Sequence, residues 1–191
     1  MTAPRLLVVR HGDTDWAAAR RHTGRTDVAL NADGEAGARA LRGALPLADV
    51  VAVWSSPLVR ARRTAELAGL AVDEVLDDLV EWDYGSAEGR TTAEVRRERP
   101  GWTVWDDPMP DGETAAEVGV RVDRVVARAR AFAHGTVVVV AHAHLLRILA
   151  ARWVGLPAVA GRHLTLDPAG WGLLGWERET PVVERWNPLP R

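Results

Sequence analysis

Two short apolar runs each end on residues that can do chemistry. Leu6-Leu7-Val8-Val9 leads into Arg10-His11-Gly12, and Val137-Val138-Val139-Val140-Ala141 leads into His142. An imidazole can serve as nucleophile or as general acid or base near neutral pH. A guanidinium offers a planar fork of donors suited to an oxyanion. Apolar runs of this length predict buried strands. In open sheets covered by helices, ligands bind beyond the carboxyl ends of the strands. Arg10, His11 and His142 are therefore predicted to converge at one sheet edge. A lone histidine after a strand is ordinarily a satisfied structural group, but three such groups at one edge argue for a site.

The composition limits what that site can be. The chain has no cysteine, which excludes disulfides, thiolate zinc sites and cysteine nucleophiles. All 24 basic residues are arginine, so any anion held by a cationic side chain is held by arginine or by histidine. A net charge of −2 argues against a general nucleic-acid partner. The longest apolar run is too short to cross a bilayer, and the N-terminus lacks the apolar stretch of a signal peptide. A cytoplasmic protein with no membrane partner is the expectation. At 191 residues the chain fits one domain, 1–191, with a small insert or lid around 82–113.

The elements that must position these residues follow from periodicity and capping. Strands are predicted at 6–9, 50–54, 72–76 and 136–141, the last fully apolar and hence central. Asn31 caps an Ala-rich helix to about residue 45, and Ser56-Pro57 is expected to open the next helix. That helix buries Leu58, Ala61 and Ala65 and leaves Arg60, Arg62 and Arg63 elsewhere on its circumference. Thr91-x-x-Glu94 and Thr114-x-x-Glu117 are capping boxes. The second starts a helix with Val118, Val122, Val125 and Val126 on one face and Arg121, Arg124 and Arg128 on another. A helix follows His142, and the tail from 162 to 186 reads as antiparallel edge strands. The fold class is α/β, a three-layer α/β/α sandwich with a mostly parallel central sheet and antiparallel edge strands.

The motifs extend along nearly the whole chain. Arg10-His11-Gly12-Asp13-Thr14 resembles the Arg-His-Gly-x-Thr signature of the histidine phosphatase superfamily, which includes phosphoglycerate mutases. Thr23-Gly24-x-Thr26-Asp27, Ser55-Ser56-Pro57-Leu58-x-Arg60-Ala61, Glu81-Trp82-Asp83-Tyr84-Gly85, Asp111-Gly112-Glu113-Thr114 and Ala141-His142-Ala143-His144 follow in the family's order. A phosphoglycerate mutase-like fold is thereby implied. So are roles: His11 attacks and becomes phosphohistidine, Arg10 and Arg60 clamp the phosphate, and His142 stabilises the transferring group. Glu81 protonates the leaving oxygen and then activates water. Ala143, standing where the family has glycine, keeps a backbone N–H for the phosphate. Thr14, His22, Thr23, Gly24 and Tyr84 are expected against the substrate. Arg147 joins them on another ground: a cation near a helix start is disfavoured by the macrodipole, and an anionic ligand would offset that.

The wording of three motifs is similar to fungal sedoheptulose-1,7-bisphosphatase. The resemblance implies a metal-independent phosphomonoesterase, without cofactor, acting on a small phosphorylated metabolite such as a sugar (bis)phosphate. The alternatives are mutase-type phosphoryl transfer and a non-catalytic phospho-ligand binding protein. A homo-oligomer is compatible with the sequence, which does not fix the state of assembly.

Overall fold

A computed structural model describes residues 3–188. Its centre is a six-stranded sheet in the order β3-β2-β4-β1-β5-β6. The strands are β1 (Arg5–Arg10), β2 (Val50–Ser55), β3 (Glu74–Val75), β4 (Thr136–Ala141), β5 (Trp171–Glu177) and β6 (Thr180–Trp186). β1, β2, β3 and β4 run parallel, while β5 and β6 add an antiparallel edge beside β1. The helices are α1 (Asp15–Ala18), α2 (Ala32–Ala40), α3 (Val59–Leu67), α4 (Thr92–Glu98), α5 (Ala115–Arg130) and α6 (Ala143–Trp153).

Side-chain alternation along β1 explains the layers. Leu6 and Val8 join an apolar cluster with Val118, Val122, Leu145 and Leu149 of α5 and α6. Leu7 and Val9 join one with Leu41 and with Ala61 and Ala65 of α3 on the other face. Strand β4 is buried at every position, as a central strand covered on both faces must be. Its register places Ala141 beside Arg10, so β4 and β1 end side by side and deliver His142 and His11 to the same edge.

Helix starts fall where the capping signals stand, with one exception. Asn31, Thr91 and Thr114 cap α2, α4 and α5, the latter two through complete capping boxes. Helix α3 instead begins after Leu58, which makes no side-chain cap. The Ser56 hydroxyl reaches the Leu58 N–H at 3.3 Å and is also engaged by a histidine. The Ala-rich helix ends at Ala40, short of the expected residue 45, and the strand expected over 72–76 narrows to Glu74–Val75.

The 100–113 stretch is tied together and to the rest of the chain. Trp102 is buried and donates to the Asp107 carbonyl, Arg99 pairs with Asp107, and Asp106 pairs with Arg162 across the chain. One close backbone approach fixes the loop that carries His11. A Cβ on Gly12 would lie 2.2 Å from the Gly34 carbonyl oxygen, so only glycine lets α2 dock there.

Candidate active site

The neighbouring ends of β1 and β4 open on a cavity of about 190 Å³. Arg10, His11, Thr14, His22, Thr23, Glu81, Tyr84 and Ala143 all line it, as do Ala17, Arg20, Arg21 and His144, which the sequence reading did not single out. His144 could have been found, because it stands two residues beyond His142 at a helix start. The Arg20-Arg21 pair precedes the His22-Thr23-Gly24 loop and carries no comparable motif.

Hydrogen-bond partners fix the tautomers of His11 and His142. His11 Nδ1 lies 2.6 Å from the Gly12 carbonyl oxygen, which only accepts, so Nδ1 holds the proton and Nε2 keeps its lone pair. Burial first, then the Arg60 and Arg10 charges, hold His11 well below the usual histidine range. Its ring meets the edge of His142 at 5.1 Å. His142 is fully buried and accepts the Arg60 Nε–H at Nδ1, 3.1 Å away. Its Nε2 therefore carries the proton and donates to Ser56 Oγ at 2.8 Å. Tyr84 lies 2.6 Å through its hydroxyl from His144 Nδ1, and burial raises the phenol well above its ordinary pKa, so the hydroxyl stays protonated.

Glu81 occupies the start of α6. Its carboxylate accepts the N–H groups of Trp82, His144 and Leu145 at 2.9, 3.1 and 3.0 Å. A helix N-terminus presents unpaired donors and a positive dipole end, which suits a carboxylate. The Ala143 N–H, on the cavity wall, has no partner among the described residues. Arg10 donates from one terminal nitrogen to the Leu166 carbonyl at 2.5 Å, while its buried Nε has no partner among the described residues. The site thus holds unspent donors beside a histidine lone pair, the arrangement an oxyanion would complete.

Four expected site residues do not line this cavity. Arg60, expected on the helix circumference, is fully buried; its terminal nitrogens donate to the Thr23, Gly24 and Thr26 carbonyls. Glu88 grips the same loop from the other side through the Gly24 and Thr26 N–H groups. Gly24 is thus the centre of a clamped loop, and a Cβ there would meet the Trp82 carbonyl oxygen at 2.5 Å. His142 sits behind His11. Arg147 is held by the Gly161 and Arg162 carbonyls at 3.0 and 3.1 Å and lies over the Trp105 ring. Those carbonyls and that ring offset its position near the start of α6.

Four of these histidines, His11, His22, His142 and His144, are lowered by burial, His22 to about 4. The folded protein refuses protons that the unfolded chain takes up below about pH 6.5. Stability contributed by neutral burial is present above that pH and lost as pH falls, for His22 down to about 4. Urea denaturation between about pH 7 and pH 5 should show a loss of at least ~1.4 kcal/mol per pH unit, the slope of one such group. A flat profile would contradict the buried neutral state. Among the described residues no cluster of three or more His, Asp or Glu side chains is placed to hold a metal ion, and no helix is long and apolar enough to cross a membrane.

Comparison with known proteins agrees with the motif order. Residues 6–188 match the model of the histidine phosphatase superfamily (branch 1). An acid phosphatase of Mycobacterium tuberculosis is 42% identical over 177 residues, covering 91% of this chain and 87% of that protein. Sedoheptulose 1,7-bisphosphatase of Saccharomyces cerevisiae is 33% identical over 186 residues, covering 80% and 68%. The solved structure of an open-reading-frame product of M. tuberculosis superposes with a TM-score of 0.93 at 38% identity, over 98% of this chain and 99% of that one. With the match running across the sheet, both histidine-bearing strand ends and the Glu81 segment, the chain belongs to the histidine phosphatase superfamily.

Proposed function

We propose that this protein is a phosphomonoesterase that hydrolyses a small phosphorylated metabolite, of the sugar phosphate or bisphosphate class, through a phosphohistidine on His11. The observation that carries the reading is the fixed tautomer of His11: Nδ1 is spent on the Gly12 carbonyl, and Nε2 keeps a lone pair beside a cavity lined by Arg10, whose buried Nε has no partner among the described residues. In the first step Nε2 forms a bond to phosphorus as the ester P–O bond breaks, and Glu81 in its acid form, which the second step regenerates, gives the leaving oxygen its proton. In the second, Glu81 takes a proton from water as the water oxygen attacks phosphorus and the P–N bond breaks, freeing inorganic phosphate. Arg10 and the Ala143 N–H receive the phosphoryl oxygens.

Arg60 and His142 support the reaction from behind His11. Arg60 is among the charges that keep His11 unprotonated, and it orders the Thr23–Thr26 loop through its carbonyls. The names of two relatives, an acid phosphatase and a sedoheptulose bisphosphatase, support hydrolysis and a sugar phosphate as the first substrate class to test.

A phosphate-release screen over sugar mono- and bisphosphates, nucleotides and phosphoglycerates tests the proposal. Release from at least one sugar phosphate is expected. Isomerisation of phosphoglycerate in the presence of a bisphosphoglycerate primer, without phosphate release, would establish a mutase instead.

A further inference from the structure

The charges around the cavity are unevenly used. Among its lining groups, Arg10 and Glu81 carry opposite charges at the reacting end. Arg21 is spent on the rim: it donates to the Gly89 carbonyl at 2.6 Å and lies 3.6 Å from Glu94. His22 and His144 are both lowered by burial and present neutral rings. That leaves Arg20. It lines the same cavity, is exposed to solvent, and makes neither an ion pair nor a side-chain hydrogen bond among the described residues.

The backbone holds Arg20 in place. Its φ is 55°, a left-handed conformation that a side chain rarely adopts without support from its surroundings. That support comes from both sides. The Thr14 hydroxyl caps α1 just upstream, and the Arg20 and Arg21 N–H groups donate back to the Ala17 and Trp16 carbonyls. Arg21 then pairs with Thr91 in a β-bridge that ties the segment to the start of α4. Arg20 is thus carried on a turn anchored at each end, an exposed residue in the lining of the cavity.

We infer that Arg20 forms a second anion subsite, so that the preferred ligand carries one phosphate at His11 and another anionic group, a phosphate or a carboxylate, at its far end. The inference rests on the reading of His11 as the phosphoryl acceptor for its orientation. The free fork of Arg20 is the lining group that can take a second anion bidentately. Its exposure makes the contact sensitive to ionic strength.

Calorimetric binding to the His11→Ala protein at fixed ionic strength provides the test, since no turnover intervenes. Two matched pairs serve as probes: fructose 1,6-bisphosphate against fructose 6-phosphate, and 3-phosphoglycerate against glycerol 3-phosphate. In at least one pair the doubly anionic member should bind about tenfold more tightly, and adding Arg20→Gln should remove most of that advantage. The pair that shows this identifies the second anion. Equal binding within both pairs, or an advantage that survives Arg20→Gln, would overturn the subsite. The binding result is separate from catalysis. If the Arg20-dependent preference holds while wild-type protein releases no phosphate from any of the four compounds, the subsite stands and the phosphatase reading falls.

Discussion

His11→Ala is expected to lower phosphate release by at least about a thousandfold, roughly 4 kcal/mol in transition-state stabilisation. No other lining side chain combines a free imidazole lone pair with this position at the end of a central strand. His144 Nδ1 lies 2.6 Å from the Tyr84 hydroxyl, and His22 Nε2 lies 3.2 Å from Thr92 Oγ1. Loss of the nucleophile therefore leaves only the binding and electrostatic parts of the site, which by themselves give a small residual rate. The fold should hardly notice. The ring makes one hydrogen bond, to Gly12, worth about 1 kcal/mol. His11→Asn sharpens the result, because its amide can still donate to the Gly12 carbonyl while supplying no nucleophile. Both variants should be inactive and nearly as stable as the parent. A phosphorylated protein that is acid-labile and alkali-stable should form with the parent and with neither variant. Retention of half the activity by either would remove His11 from the reaction.

Some of this was legible in the sequence because it depends on local patterns. The ends of β1 and β4 follow from two apolar runs, and the convergence of His11 with His142 follows from a parallel sheet, whose strands all point their carboxyl ends to one edge. The capping boxes at Thr91 and Thr114 are likewise local chemistry, satisfied within four residues. What could not be read is where the arginines go. In helical periodicity Arg60 and Arg121 look like solvated charges, since their spacing relative to apolar neighbours is that of an exposed face. Both are buried because carbonyl groups of distant loops turn towards them, and that depends on chain segments dozens of residues away. Arg147 shows the same dependence on distant carbonyls. Its unfavourable position near a helix start suggested an anion, while the offsetting groups were the Gly161 and Arg162 carbonyls. Ser56 accepts both the Leu58 N–H and the His142 Nε2–H, and α3 starts later than its proline suggests.

The largest expected effect on stability comes from Arg121. Its Nε and one terminal nitrogen hold both oxygens of Glu113, at 2.9 and 3.0 Å. The remaining donors reach the carbonyls of Asp78, Val80 and Glu81 at 2.9, 2.5 and 3.1 Å. Five N–H groups meet five acceptors, which satisfies the guanidinium completely. Glu113 in turn accepts the Asp83 N–H, so the pair organises the whole segment that presents Glu81 and Tyr84. Arg121→Ala leaves a mostly buried carboxylate and three carbonyls without their donor, and should cost about 3–5 kcal/mol in chemical denaturation. Arg121→Lys keeps the charge but has three donors and no planar fork, so it should recover only part of the loss. Arg124 provides the control on the same helix. Its pairing with Asp78 is exposed, and Arg124→Ala should change stability by no more than about 1 kcal/mol. Equal effects at positions 121 and 124 would mean that the buried pair does not organise the segment. Activity supplies an independent readout, because the Glu81 carbonyl is one of the groups Arg121 holds. At temperatures where the Arg121→Lys protein is still folded, kcat should fall while Arg124→Ala leaves it near the parent value, since displacement of a proton-transferring carboxylate by about 1 Å already costs on the order of a hundredfold.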